Sequence, residues 1–149
     1  MLGALKNSQI ESLLHSQVIG RIGCHTDEIT YVVPVTYAYD GMHIYGHTKE
    51  GMKINMMRKN PKICFEVDVV ENMSNWRSVI AWGKFEELKK PEERRKGMQK
   101  LIDRILPIMT SETTVHNAMT DSHGKYIEAM QGVVYRIELT EKTGRYEKR

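Results

Sequence analysis

Cysteine is scarce in this chain. Only Cys24 and Cys64 are present, far apart and in no C-x-x-C or Cys/His zinc spacing, so the sequence needs neither a disulfide framework nor a structural metal. A reducing compartment is the simpler expectation. Long apolar runs are missing as well, and no segment approaches the ~20 residues of a membrane-spanning helix. The opening MLGALKNSQIESLLHS is interrupted by Lys6, Asn7, Ser8, Gln9 and Glu11, which leaves no signal-peptide apolar region. We therefore expect a cytoplasmic protein with no membrane partner. Charge of one sign is also in short supply: 22 Lys and Arg stand against 19 Asp and Glu, a net charge of +3. That surplus is too small to make nucleic acid the expected partner. Spacing supports no Ser-His-Asp, Cys-His or paired-carboxylate arrangement, so no catalytic residue is named. No internal repeat is evident.

What is present suits one domain over residues 1–149, with 40% hydrophobic residues and no shift in composition along the chain. Ser8-Gln9-Ile10-Glu11 has capping-box spacing ahead of Leu13 and Leu14, predicting a helix that begins near Ser8 within an N-terminal segment 1–16. Residues 17–24 and 29–39 are rich in β-branched and aromatic side chains, and Asp40-Gly41 is a hairpin signal before Met42 to Gly46. A three-strand meander is expected there. Lys62 to Asp68 alternates, and Trp76 to Leu88 is a long strand candidate beyond the polar turn Glu71 to Asn75. The period then changes to helical over 91–106, from Pro91 through Met98, Leu101, Ile102 and Ile105. Alternation returns over 133–140, and 141–149 reads as a polar tail. About six strands with inserted helices suggest a mainly β fold, a small Greek-key or split barrel with its core in 17–88.

The stretch HIYGHTKEGMKINMMRKNP, His43 to Pro61, runs from a strand through Gly46-His47-Thr48 into a basic helix. Backbone N–H groups at the start of that helix favour an anion. Gly46 and Gly51 let the backbone approach a ligand, Thr48 offers a hydroxyl, His47 a ring nitrogen, and Lys53 a charge that can swing back. The plainer reading makes Thr48 a helix cap, Lys49, Lys53, Arg58 and Lys59 a solvated face, and Met52, Met56 and Met57 core.

The order of the neighbouring pieces favours the anion site. TYVVPVTYAYDGMHIYGHTKEGMKINMMRKNPKICFEVD followed by NWRSVIAWGKFEEL resembles the FMN-binding split-barrel family typified by pyridoxamine 5′-phosphate oxidase, closest to its nitroimidazole-resistance, nitroreductase-like branch. The likeness spans roughly Gln17 to Leu88 and, more weakly, the final strand. It implies a homodimer of split β-barrels with FMN between subunits. By the same resemblance, Val33, Pro34, Val35 and Thr36 border the isoalloxazine, Gly46, His47, Thr48 and Lys53 take the phosphate, and Ser78 faces the flavin edge. Pro34 suits a strand beside a groove because it has no N–H to leave unpaired, although an edge-strand blocker would look the same.

Two departures from the oxidase pattern argue against pyridoxamine 5′-phosphate oxidase activity itself. An Arg-Lys pair there becomes Met52-Lys53 here, and Arg-Gln-Val becomes Arg77-Ser78-Val79. The implied function is an NAD(P)H-dependent reductase of a small-molecule acceptor such as a nitroaromatic or quinone, with the flavin carrying the chemistry. The alternative is a non-catalytic flavin- or haem-binding barrel, for which His116, His123 and Asp121 offer a loop cluster. His43 and His47 are spaced i,i+4, but on a strand entering a loop, which argues against a metal pair.

Overall fold

A computed structural model describes residues 1–108 and 132–149. The chain runs β1 (Leu2–Ala4), α1 (Asn7–Ser16), β2 (Ile19–Thr26), β3 (Ile29–Thr36), β4 (Ala38–Tyr39), β5 (His43–Thr48), α2 (Met52–Lys59), β6 (Lys62–Asn72), β7 (Asn75–Leu88), α3 (Pro91–Ile105) and β8 (Val133–Glu147). A short 3₁₀ turn, Leu106–Ile108, ends α3 at Pro107. The loop histidines His116 and His123, with Asp121, lie outside the described residues. No helix among the described residues is long and apolar enough to cross a membrane.

All strands join one antiparallel sheet in the order β3-β2-β6-β7-β8-β5-β4, with β1 added to β8. The first and last strands of that order are two halves of one extended segment, residues 29–39. The sheet must therefore curl until its ends meet at Tyr37, which is the split-barrel architecture. Tyr37 is held firmly at this seam: its N–H donates to the Val18 carbonyl at 2.9 Å and its hydroxyl to the Leu14 carbonyl at 2.6 Å. Its ring meets the edge of Phe65 at a centroid distance of 4.9 Å.

The expected three-strand meander is present as two hairpins that share the segment 29–39, split at Tyr37. β2 and β3 form a hairpin, β4 and β5 form another, and β5 pairs with β8 rather than β3. The expected polar tail is corrected, because β8 continues to Glu147, paired with β7 on one side and β1 on the other. A bulge explains why alternation is lost near Thr140: Trp82 pairs with Glu141 but Gly83 with Leu139, so one residue of β8 is skipped. Inward positions then change from odd numbers, such as Tyr135 and Ile137, to even ones, such as the buried Gly144. Helix α1 begins at Asn7, next to the expected Ser8, but Gln9 rather than Glu11 reaches back, accepting from the Lys6 N–H at 2.8 Å.

Alternation places Ile22, Phe65, Val67, Val79 and Ile137 inside the curl, where α1 contributes Leu13 and Leu14 and α2 contributes Ile54 and Met57. Each such side chain stabilises the fold by about 1.5–3 kcal/mol through removal from water. A smaller second cluster seats Met98, Leu101 and Ile102 of α3 on Tyr45, Leu88 and Val134, outside the curl. Helix α2 therefore has one side fixed in the core, and no side chain caps its N-terminus.

Candidate functional site

At Thr36 and Tyr37 the extended segment changes partners. Thr36 still pairs with Ile19 of β2, whereas Ala38 pairs with Tyr45 of β5. The barrel is split here, with β3 as one lip and the end of β5 plus the start of α2 as the other. Strand β3 pairs along one side only among the described residues, so its backbone donors and acceptors border the split, and Pro34 sits where a missing N–H costs least. Along β3, Pro34 and Thr36 are exposed, Val35 is buried and Val33 is half-buried. Val33 and Val35 pack with the core, which leaves their backbone atoms for the groove.

On the opposite lip, Gly51 precedes α2 and no side chain caps the helix. The Asn55 N–H is the first to bond back, to the Gly51 carbonyl at 3.1 Å, so the N–H groups ahead of it have no intrahelical acceptor. Thr48 is not the cap of the plainer reading. Its hydroxyl instead accepts a hydrogen bond from Lys53 Nζ at 2.9 Å. Lys53 thus folds back over the helix start, as the anion reading requires, and burial pulls its ammonium below the ordinary lysine range, an effect that Cys24 partly offsets. No carboxylate pairs with Lys53 among the described residues, whereas Glu50 nearby is held by Arg58 through bonds of 2.7 and 2.8 Å. An ammonium partly withdrawn from water, a hydroxyl and uncapped N–H groups therefore stand together in one corner, an arrangement whose chemistry suits an anion.

The glycines divide differently from expectation. Gly51 stands in open space, but a Cβ at Gly46 would collide with the Tyr135 ring, so Gly46 is required by core packing rather than by a ligand. His47 is exposed beside this corner. Gly132, with φ of 75°, passes so close that a Cβ there would lie 2.9 Å from His47 Nε2. That contact was invisible in the sequence. Met52, expected in the core, is 48% exposed.

Ser78 is not brought to this corner within one chain. It lies on β7 opposite Asp68 and Arg145, at the other end of the strand from Leu88, whose partner Val134 adjoins the partner of Thr48. On the outer face around it, Val32, Ile80 and Trp82 are exposed apolar side chains. On β2, Arg21 bonds Glu66 at 3.3 Å and Asp68 at 3.5 Å. Burial first, then Asp68 alongside, raises the Glu66 carboxyl to about 7.

Comparisons with known proteins agree with this architecture. The chain superposes on an FAD-binding protein (mll6688) from Mesorhizobium loti with a TM-score of 0.78 and 25% identity over 99% of both chains. Its fold is also that of a candidate 5-nitroimidazole antibiotic resistance protein from Bacteroides thetaiotaomicron, with a TM-score of 0.75 and 19% identity over 98% of this chain and 87% of that one. A sequence relative, the uncharacterized protein RA0666 of Rhizobium meliloti, is 30% identical over 84 residues, and the match spans 56% of either protein. The family model described as pyridoxamine 5′-phosphate oxidase matches residues 6–146, and with the curled sheet and the split at Tyr37 this places the chain in the pyridoxamine 5′-phosphate oxidase family.

Proposed function

We propose that the chain is a homodimeric FMN-binding oxidoreductase that uses NAD(P)H to reduce a small acceptor such as a nitroaromatic or quinone. The observation that carries this reading is the Lys53–Thr48 bond across the uncapped start of α2. A phosphate there meets a full positive charge, a hydroxyl and free N–H groups, while the unpaired edge of β3 borders the ring of the same ligand. A bound flavin supplies the electron-transfer chemistry between the nicotinamide and the acceptor. The residues of this chain bind and orient it, and none is needed as an acid or base. Solved proteins of the same fold that are described as FAD-binding support a flavin cofactor.

In this reading Ser78 is the reason for a second copy. Because it lies away from the phosphate corner, it meets a flavin held there only from a second copy. The exposed Val32, Ile80 and Trp82 supply the apolar surface for that copy. The decisive experiment is the visible spectrum of purified protein before and after FMN addition, with the released cofactor identified by mass, followed by anaerobic NAD(P)H. A flavin spectrum bleached by NAD(P)H is expected, and dilution to monomer should release the flavin. Bare protein that ignores flavin would overturn the reading. Tight flavin without reduction would mark a non-catalytic carrier instead.

A further inference from the structure

Ile63, Phe65 and Val67 of β6 point into the curl, so Cys64, Glu66 and Asp68 between them stand on the outer face of the sheet. Register fixes what surrounds Glu66 there. Arg21 of β2 lies across from it on one side and Ile80 of β7 on the other, while Cys64 and Asp68, its neighbours along β6, lie opposite Trp82 and Ser78. On the same face Ile19, Val32, Val70, Ile80 and Trp82 are all exposed, so the surface is largely apolar with one set of charges inside it. Arg21 Nη1 donates to Glu66 at 3.3 Å and to Asp68 at 3.5 Å. A single guanidinium nitrogen thus serves two carboxylates, and no other cation bonds either of them among the described residues. Arg145, opposite Ser78, is two strands away from Asp68, about 10 Å by strand spacing. One positive charge against two negative ones leaves the triad with an uncompensated carboxylate.

In the dimer proposed above, on which this inference rests, the second copy covers this face. Two-fold symmetry presents the same patch to itself, so the spare carboxylate of each copy enters an apolar contact together with the spare carboxylate of the other. Loss of water and like charge both oppose the ionised form, and one proton per copy removes both costs. Within the single chain, burial and then Asp68 already lift the Glu66 carboxyl to about 7, and the covering copy acts in the same direction. We propose that the Arg21–Glu66–Asp68 triad is a proton-operated latch on the dimer, and through the dimer on flavin retention: Glu66 takes up a proton as two copies close, and its ionisation drives them apart. Because association then binds protons, it is tightest in mild acid and weakens as pH rises above the Glu66 pKa of the single chain.

The test is the dimer dissociation constant of the full chain, measured by sedimentation velocity at constant ionic strength from pH 6 to pH 8.5, without added FMN and with it. The native constant should weaken by at least about tenfold between pH 6.5 and pH 8.5. Glu66→Gln, which keeps the shape and carries no charge, should stay at the native pH 6 value throughout. Release of FMN on dilution should follow the same pH curve in the native protein and be flat in the variant. A native constant that ignores pH would overturn the latch while leaving the dimer and the flavin site intact. A pH dependence unchanged in Glu66→Gln would overturn the assignment to Glu66. A chain that is monomeric at every pH would overturn the latch together with the role of the second copy, whereas the visible spectrum with FMN decides the cofactor separately.

Discussion

The two ends of helix α2 carry positive charge in opposite circumstances. At the C-terminal end, Arg58 bonds Glu50 and Glu87, both at 2.7 Å, and Lys59 bonds Asp27 at 3.1 Å. These cations are neutralised by the fold, where they also complement the helix dipole. At the N-terminal end, Lys53 is half-buried, faces a neutral hydroxyl and lies at the positive pole of the same dipole. A cation there opposes the dipole and gives up solvation. The fold tolerates at one end what it compensates at the other, and a phosphate would relieve the imbalance. Charge alone therefore does not mark Lys53 out; the lack of a counter-charge among the described residues does.

Replacing the cations one at a time breaks the comparison most directly. Lys53→Ala should weaken flavin binding by about 1.5–3 kcal/mol, the scale of a hydrogen bond to a charged group, as read by titration of the purified protein. Unchanged affinity would remove the phosphate from this corner. Thr48→Val, which keeps the shape and removes the hydroxyl, should cost about 1 kcal/mol in the same assay. Arg58→Ala should leave flavin affinity within about twofold and lower stability by ~1 kcal/mol or less, because its ion pairs are partly exposed. Equal losses of affinity from Arg58→Ala and Lys53→Ala would erase the distinction between the two ends.

Two pH responses sharpen it. Because burial lowers the Lys53 pKa, the ligand-free protein binds fewer protons than the unfolded chain just below the ordinary lysine pKa, and its stability should rise with pH there. Flavin binding favours the ammonium, so affinity should fall over the same interval, and Lys53→Ala should abolish both slopes. Glu66 behaves in the opposite sense. Its carboxyl, raised to about 7, takes up a proton on folding between the ordinary carboxylate pKa of ~4 and that value. Stability should therefore decline as pH rises through this window and level off above it. Denaturant titrations of Glu66→Gln should show the slope removed, with a gain of about 1 kcal/mol at pH 8.

Much of the fold could be read from local pattern. Periodicity marked the helix from Pro91, the long strand to Leu88 and the basic helix after Gly51, because each signal comes from one element meeting one environment. Sheet order was not readable in this way. The neighbour of β5 is β8, distant in sequence, and nothing near Asp40-Gly41 records that choice. The bulge at Thr140 reverses which residues face inward, so the polar residues of a paired strand read as a tail. In the site, Lys53 and Thr48 were legible because a glycine, a hydroxyl and a lysine at a helix start describe a local geometry. The packing role of Gly46 was not, since it depends on Tyr135 from a strand on the far side of the chain.

Tyr37 ends one edge of the sheet and begins the other, and α1, Val18 just ahead of β2 and the Phe65 ring all hold it. Among the described residues, the gape of the cleft is therefore set by covalent connectivity. Inserting a single residue beside Tyr37 would change the span between the lips without touching any ligand contact. Cofactor size in such a barrel is open to tuning through chain length, as a jaw is adjusted at its joint and not at its teeth.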